Sequence, residues 1–498
     1  MSNSSENTPE SDGAAVPGPG DGPKPSAHGP ATGPIQHANS HGQNDLFREI
    51  ALVWLAVNLI DAAPRRVRRA LASQEEAVVQ SIARFGFRIP ILVRTTPSGD
   101  RYEVVDGHMR LAAARRLDAD KVPCILVDDL PDLEIRRLAL SLNKLQETGA
   151  WDDDALRLEI GEIIEIGGTI EIPGFALPEI EALRFASEDG SEADPADDIS
   201  PLVADREGAV VTQRGDAWIL WDHVIVCGSA RDGYMLVSAM TGLNADAVFT
   251  DPPYNVRIKG HVRGADAGFA EFAEASGEMS RKEFTAFLQE TLGQAADSLK
   301  PGGVLFACMD WRHVREMTEA LEALSLELLN ICVWVKAQPG MGSLYRSQHE
   351  LVFVAKRPGA SHQNNVQLGK FGRNRSNVWT YAGATGGRAD ADDDFALHPT
   401  VKPIRMVMEA LLDVTDPGDL VLDPFLGSGT TLLAAERTRR RCLGVEIEPS
   451  YVDLAIRRWQ EMTGGDAVHA ESGARFHDLA VKAMQDTRQS GSGTEEDF

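Results

Sequence analysis

The sequence predicts an α/β protein whose larger part is a doubly wound, mostly parallel sheet, joined to a smaller α/β unit and a helical segment. Three observations carry that expectation. Leu422-Asp-Pro-Phe-Leu-Gly-Ser-Gly-Thr-Thr431 reads as a buried strand, a glycine turn and a helix start. Ala247-Val-Phe-Thr250 is a second buried strand that runs directly into Asp251-Pro-Pro-Tyr254. Between about 205 and 465, apolar runs of strand length alternate with helical spacing, which implies a parallel sheet with its site at the carboxyl ends of the strands.

Taken in order, residues 1–44 are rich in Pro, Gly, Ser, Asn and His and are expected to be a disordered tail. A compact α/β unit is expected over 45–130. In it, Val53-Trp-Leu-Ala-Val-Asn-Leu59 is a strand, Ser73 caps a helix through Phe85, and Gly86 ends it. Ile89-Pro-Ile-Leu-Val93 and Tyr102-Glu-Val-Val105 are further strands, and Asp106-Gly-His108 leads into a helix from Met109 to Leu117. Helical spacing through Leu138, Leu142, Leu145, Leu156, Ile160, Ile163 and Ile164 makes 131–185 a helical extension packed on that unit. Residues 186–204 read as an acidic linker, 205–465 as the large domain, and 466–498 as a C-terminal tail. Within the large domain, Trp218 to Val226 is a strand pair and Phe284 to Leu299 an amphipathic helix. Val304-Leu-Phe-Ala-Cys308, Ile331 to Val335 and Glu350 to Ala355 are strands.

Composition narrows the class. The chain has 498 residues, 43% of them hydrophobic, and a net charge of −26. Its apolar runs stop short of the ~18 residues of a spanning helix, and a soluble, cytoplasmic protein is the expectation. The five cysteines (Cys124, Cys227, Cys308, Cys332, Cys442) include no Cys-x-x-Cys pair, so neither zinc nor redox chemistry is indicated and no metal is expected. The charge is unevenly spread. Trp151 to Ser200 holds 15 acidic and 2 basic residues, whereas Ile331 to Tyr381 holds 7 basic residues against Glu350 alone. A phosphate backbone would be met by the second stretch, through Lys336, Arg346, Lys370, Arg373 and Arg375.

The glycine turn points to a nucleoside ligand. Gly427 and Gly429 let backbone approach a ligand, and the free N–H groups of a helix start favour an anion or carboxylate. The strand Arg441-Cys-Leu-Gly-Val-Glu446 ends on a carboxylate 19 positions after Gly427, close to the ~20 at which an acidic side chain meets ribose hydroxyls. No lysine follows the glycines to hold phosphates, so S-adenosylmethionine, with a ribose and a carboxylate but no phosphate, fits better. Asp251-Pro-Pro-Tyr254 supplies matching chemistry. An exocyclic amino nitrogen on adenine or cytosine is a poor nucleophile, because its lone pair is delocalised into the ring. The Asp251 carboxylate and the Pro252 carbonyl can accept its two hydrogens and free that lone pair. Pro252 and Pro253 stiffen the backbone and remove competing donors. Tyr254 offers an aromatic face to a base taken out of the stack.

In these motifs the chain resembles the β-group amino DNA methyltransferases, in which Asp-Pro-Pro-Tyr precedes the S-adenosylmethionine motif, over about residues 213–460. The resemblance implies that Thr400 and Lys402 of His398-Pro-Thr-Val-Lys-Pro403 lie at the methionine end of S-adenosylmethionine with Asp423, Phe425, Gly427, Ser428, Gly429 and Thr430. It implies that Glu446 holds the ribose and that 337–395 is a target-recognition insert on double-stranded DNA. Trp334-Val-Lys336, His349-Glu350 and Asn377-Val-Trp379 fall where that family has comparable elements. Where the family often has an acidic residue near the cofactor's adenine, this chain reads Cys227-Gly-Ser-Ala-Arg-Asp232, with Asp232 as the candidate. Asp-Pro-Pro-Tyr goes more often with adenine N6, and Ser-Pro-Pro-Trp with cytosine N4, which stays as the alternative. A DNA-binding module on an inactive methyltransferase scaffold is a further alternative, and methylation of a protein amide is disfavoured by Asp251.

Val104-Val-Asp-Gly-His-Met-Arg-Leu-Ala-Ala-Ala-Arg-Arg-Leu117 resembles the ParB-like N-terminal domain over about residues 50–150. That implies a nucleotide near Gly107, His108 and Arg110. His108 and Met109 stand where that family has Glu and Arg, so a role in positioning DNA or a partner is the safer implication. The sequence fixes neither the recognition site, nor a restriction partner, nor an oligomeric state such as a homodimer.

Overall fold

The computed structural model describes residues 50–63, 72–145, 151–166, 171–185, 194–199, 210–256, 274–336, 339, 344–370, 373–382 and 401–491. The expected tail 1–44 and Thr400 lie outside them.

The N-terminal unit is a five-stranded sheet. Its strands are β1 (Leu52–Ala56), β2 (Ile60–Asp61), β3 (Ile91–Thr95), β4 (Tyr102–Asp106) and β5 (Lys121–Leu126), in the order β1-β5-β3-β4-β2. Helices α1 (Ala72–Phe85) and α2 (His108–Arg116) accompany it, over a core that includes Ile60, Ile91, Val93, Leu111 and Cys124. The expected strand from Val53 is cut short at Ala56, because Val57–Leu59 turns as a 3-10 helix.

Three helices follow: α3 (Asp132–Leu145), α4 (Asp153–Glu165) and α5 (Leu177–Phe185). Asp152 caps α4 through the Ala155 N–H at 3.1 Å, as expected of a carboxylate at a helix start. Packing on the first unit holds for α3, whose Ile135 joins Val105 and Val127. It does not hold for α5. Glu181 of α5 forms a fully buried ion pair with Arg440 of the large domain. Residues placed in an acidic linker are likewise anchored: Asp194 pairs with Arg437, and Asp197, 1% exposed, accepts the Ile404 N–H at 2.9 Å.

The large sheet has ten strands. β6 (Ala217–Leu220) and β7 (His223–Cys227) form the expected pair. β8 (Ala245–Thr250), β9 (Leu299–Met309), β10 (Glu327–Val335), β11 (His349–Lys356) and β12 (Val378–Thr380) follow. β13 (Leu420–Asp423), β14 (Arg441–Glu446) and β15 (Val468–His469) complete it. The order is β12-β10-β11-β9-β8-β13-β14-β7-β6-β15, with the central β9-β8-β13-β14-β7 all parallel. Antiparallel strands flank this centre on both sides.

Alternate residues of the central strands face opposite layers. Phe249, Phe306 and Val421 face α9 (Ile404–Val414), α10 (Thr430–Arg437) and α11 (Pro449–Thr463). Val248, Leu305 and Leu422 face α6 (Gly233–Met240), α7 (Arg281–Ser298) and α8 (Val314–Ala323). With side chains such as Phe249 and Phe284 worth about 1.5–3 kcal/mol each on full burial, this three-layer core fixes the strand ends on which the site is built.

Two expected boundaries change. The span 337–395 contains two strands of the sheet, β11 between β9 and β10 and β12 paired with β10 at the edge. The expected C-terminal tail contains β15, paired with β6, and α12 (Phe476–Gly491), whose Phe476 packs edge-on to Trp218 at 5.2 Å.

Candidate active site

Strand connections leave β8 toward β9 on one side and β13 toward β14 on the other. The gap between the carboxyl ends of β8 and β13 is therefore the point where the winding reverses, and open α/β sheets bind ligands there. Both motifs sit at that point, since Asp251 follows β8 and Asp423 ends β13.

After Asp423 the chain turns through Gly427 (φ 54°) and Gly429 (φ 89°), both in the left-handed region that favours glycine, and enters α10 at Thr430. A Cβ on Gly429 would lie 2.8 Å from that of Ala455, so glycine also lets α10 pack on α11. A Cβ on Gly427 would meet nothing within 4 Å, which shows that this bend faces open space. Asp423 accepts the Phe425 N–H at 3.0 Å and the Thr431 hydroxyl at 2.6 Å, and so shapes the turn from within. Ser428 is turned away, its carbonyl and hydroxyl both bound by Arg458 of α11. Glu446 accepts the Gly427 N–H at 2.8 Å and the Glu448 N–H at 2.9 Å, one on each oxygen, leaving lone pairs at the rim of the bend. Burial pushes the carboxyls of Asp423 and Glu446 up to about 7, against the hydrogen bonds that each accepts. Asp232, the candidate near a cofactor's adenine, caps α6 through the Met235 N–H at 3.0 Å.

At the other strand end, Asp251 Oδ1 accepts the Tyr254 hydroxyl at 2.6 Å and Oδ2 binds Lys402 at 2.5 Å. Glu350 joins them, its Oε2 lying 3.1 Å from both the Tyr254 hydroxyl and Lys402 Nζ. Its Oε1 binds Lys336, whose ammonium stands 5.1 Å from the centre of the Trp334 ring. Burial would raise the Glu350 carboxyl, but the Lys402 and Lys336 charges outweigh it and hold it at about 2. Burial would lower Lys402, but Asp251 and Glu350 hold it above the ordinary lysine range. Burial raises Asp251 against the pull of Lys402, with a further push from Glu350. Among the described residues no donor meets the Pro252 carbonyl.

Tyr254 differs from its expected part. Its hydroxyl ties two carboxylates together and its ring lies 5.5 Å from Lys402 Nζ, so one surface of the ring is already in use.

The basic stretch also changes meaning. Lys336 belongs to the Asp251 cluster. Arg373 pairs with Asp413 at 2.6 Å, and Arg375 pairs with Asp413 and Glu409, both acids lying on α9. These two arginines are therefore internal struts and are corrected as DNA contacts. Arg346 and Lys370 remain exposed. Glu350 is the site residue that sequence reading left without a role. Its signal was its place opposite Trp334 in the β10–β11 ladder, two positions before Lys336.

A doubly wound sheet with a glycine bend and an acid-lined strand end at its reversal point defines a nucleoside-binding enzyme fold. The family model described as DNA methylase matches residues 245–457, and that of the ParB N-terminal domain matches 41–144. Type II methyltransferase M2.DpnII of Streptococcus pneumoniae is 30% identical over 242 residues, covering 46% of this chain and 87% of its own length. Type II methyltransferase M.HinfI of Haemophilus influenzae is 26% identical over 230 residues, covering 44% and 63%. A solved structure, the M1.HpyAVI-SAM complex, is 22% identical with a TM-score of 0.34, covering 47% of this chain and 97% of its own. The chain belongs to the DNA methylase family and carries a ParB N-terminal domain in front of it.

Proposed function

We propose that the protein transfers the methyl group of S-adenosylmethionine to the exocyclic N6 of adenine in double-stranded DNA. The observation that carries this reading is the pairing of Asp251 and the Gly427 bend across adjacent parallel strands at the reversal point.

The residues at the bend fit the cofactor. The open side of Gly427, the start of α10 and the rim carboxylate of Glu446 suit a ligand with a carboxylate and vicinal hydroxyls. Gly427, Gly429 and Thr430 would hold its carboxylate end beside Lys402, Glu446 its ribose, and Phe425 its apolar edge. Bound there, S-adenosylmethionine supplies an electrophilic methyl group.

The chain's part is to orient the nucleophile. Asp251 accepts one hydrogen of the amino group and the Pro252 carbonyl the other, which draws the nitrogen toward tetrahedral geometry. Tyr254 and Lys402 fix the Asp251 carboxylate in place, so positioning carries much of the rate. Arg346 and Lys370 are the exposed cations that would meet phosphate. A nucleotide at Gly107, His108 and Arg110 is the corresponding proposal for the N-terminal unit, supported by the glycine-initiated start of α2.

The test is tritiated methyl transfer to mixed DNA. Asp251→Ala is expected to lower transfer by about a thousandfold or more while calorimetry still detects cofactor binding; full activity in that variant refutes the assignment. Sequencing that detects modified bases, on DNA from cells expressing the protein, then reports adenine or cytosine and the sequence context together.

A further inference from the structure

The proposed reaction needs Asp251 to receive an amino group, yet both of its oxygens are engaged. Oδ1 holds the Tyr254 hydroxyl and Oδ2 holds Lys402. Each oxygen keeps a further lone pair, but a carboxylate that turns toward an incoming amine loosens its hold on those donors, and a buried donor stripped of its partner costs about 1–3 kcal/mol, and more when charged. Glu350 is placed to be that acceptor. Its Oε2 stands 3.1 Å from the Tyr254 hydroxyl and 3.1 Å from Lys402 Nζ, so each donor is already shared between two carboxylates. Its own position is fixed twice over. Its backbone pairs with Trp334 in the ladder of β10 and β11, and its other oxygen binds Lys336. The four charges balance, two carboxylates against two ammoniums. When Asp251 turns to a neutral amine, Lys402 keeps a counter-ion.

Resting on the methyl-transfer reading of this site, we infer that Glu350 is a positioning residue that retains Lys402 and Tyr254 while Asp251 engages the amino group of the base, with Lys336 holding Glu350 in place. Without the Glu350 charge, Lys402 has Asp251 as its remaining carboxylate and binds it throughout the cycle. The acceptor is then present but held toward the lysine.

Steady-state methyl transfer on mixed DNA, paired with calorimetry of cofactor binding and a melting curve, tests this. Glu350→Gln is expected to lower kcat by about 30- to 100-fold, with the KM for DNA and the cofactor affinity within about threefold of the parent. Glu350→Asp, which keeps the charge on a shorter arm, is expected to recover kcat to within about tenfold. A kcat for Glu350→Gln within about twofold of the parent overturns the inference. So does a loss of activity matched by equal losses in cofactor affinity and melting temperature, since that marks a structural brace. Asp251→Asn run alongside separates the two readings. If it is inactive while Glu350→Gln is fully active, the role of Glu350 falls and the methyl-transfer reading stands. If Asp251→Asn is itself fully active, the reading of the site falls and Glu350 with it.

Discussion

Two strand-glycine-helix turns among the described residues are built to opposite ends. In the N-terminal unit β4 ends on Asp106, Gly107 takes φ 99°, and α2 begins at His108. In the large sheet β13 ends on Asp423, Gly429 takes φ 89°, and α10 begins at Thr430. The local grammar is the same, but what lies over the helix start differs. Arg110 folds back onto the first turn, pairing with Asp106 at 3.0 Å and coming within 2.9 Å of where a Gly107 Cβ would stand. The second turn has open space above Gly427 and a carboxylate, Glu446, at its rim. A guanidinium over a helix start suits an anionic phosphate, whereas an open bend beside a carboxylate suits hydroxyls. The strand-glycine-helix pattern therefore does not choose the ligand; the neighbouring side chain does.

Substitution of the two glycines should break the likeness most sharply. Gly429→Ala adds left-handed strain to a 2.8 Å clash with Ala455, and is expected to cost about 2–5 kcal/mol and to abolish cofactor binding by calorimetry. Gly107→Ala meets the far end of a long arginine side chain rather than backbone, so the expected loss is the strain alone, about 1–2 kcal/mol, read from denaturant melts. Equal losses at the two positions would show that the packing of α10 on α11 is not what distinguishes them.

A smaller effect is expected from pH. Burial raises the carboxyls of Asp423 and Glu446 to about 7, so the folded protein holds protons there that the unfolded chain releases near its ordinary value of about 4. That contribution to stability is complete below the unfolded value and is lost as pH rises through about 7. The melting temperature of the unliganded protein should therefore fall between pH 5.5 and 8 by a few degrees, on the order of 1 kcal/mol per group. Over the same range cofactor affinity should rise, because an ionised Glu446 accepts ribose hydroxyls better, and Glu446→Gln should flatten the rise. Smallest of all, Arg346→Ala should weaken DNA binding by about 1 kcal/mol or less and lower its salt dependence, while Arg373→Ala should act on stability instead.

Sequence reading reached the fold and the two motifs because these are encoded locally. Strand length, glycine positions and the 19-residue spacing from Gly427 to Glu446 all survive in the structure. It failed where charge had to be assigned to partners far away in the chain. Arg373 and Arg375 counted as free cations within their own segment, but Asp413 and Glu409 lie on α9 about 35 to 40 positions later and neutralise them. Lys336 and Glu350 were each visible, but their meeting with Lys402 depends on the hairpin register of β10 and β11 and on the approach of the chain to α9. Asp197 likewise read as solvated, and only the fold shows that it is buried.

That last residue ties the front half of the molecule to its chemistry. Asp197 holds the first N–H of α9, two positions beyond Lys402, while Glu181 neutralises a fully buried Arg440. A fragment beginning at 205 would strand that guanidinium, a penalty of about 3–5 kcal/mol, and would leave Lys402 beside a fraying helix end. The stretch before residue 205 is therefore more than a tether, since two of its carboxylates hold elements of the methylase domain in place.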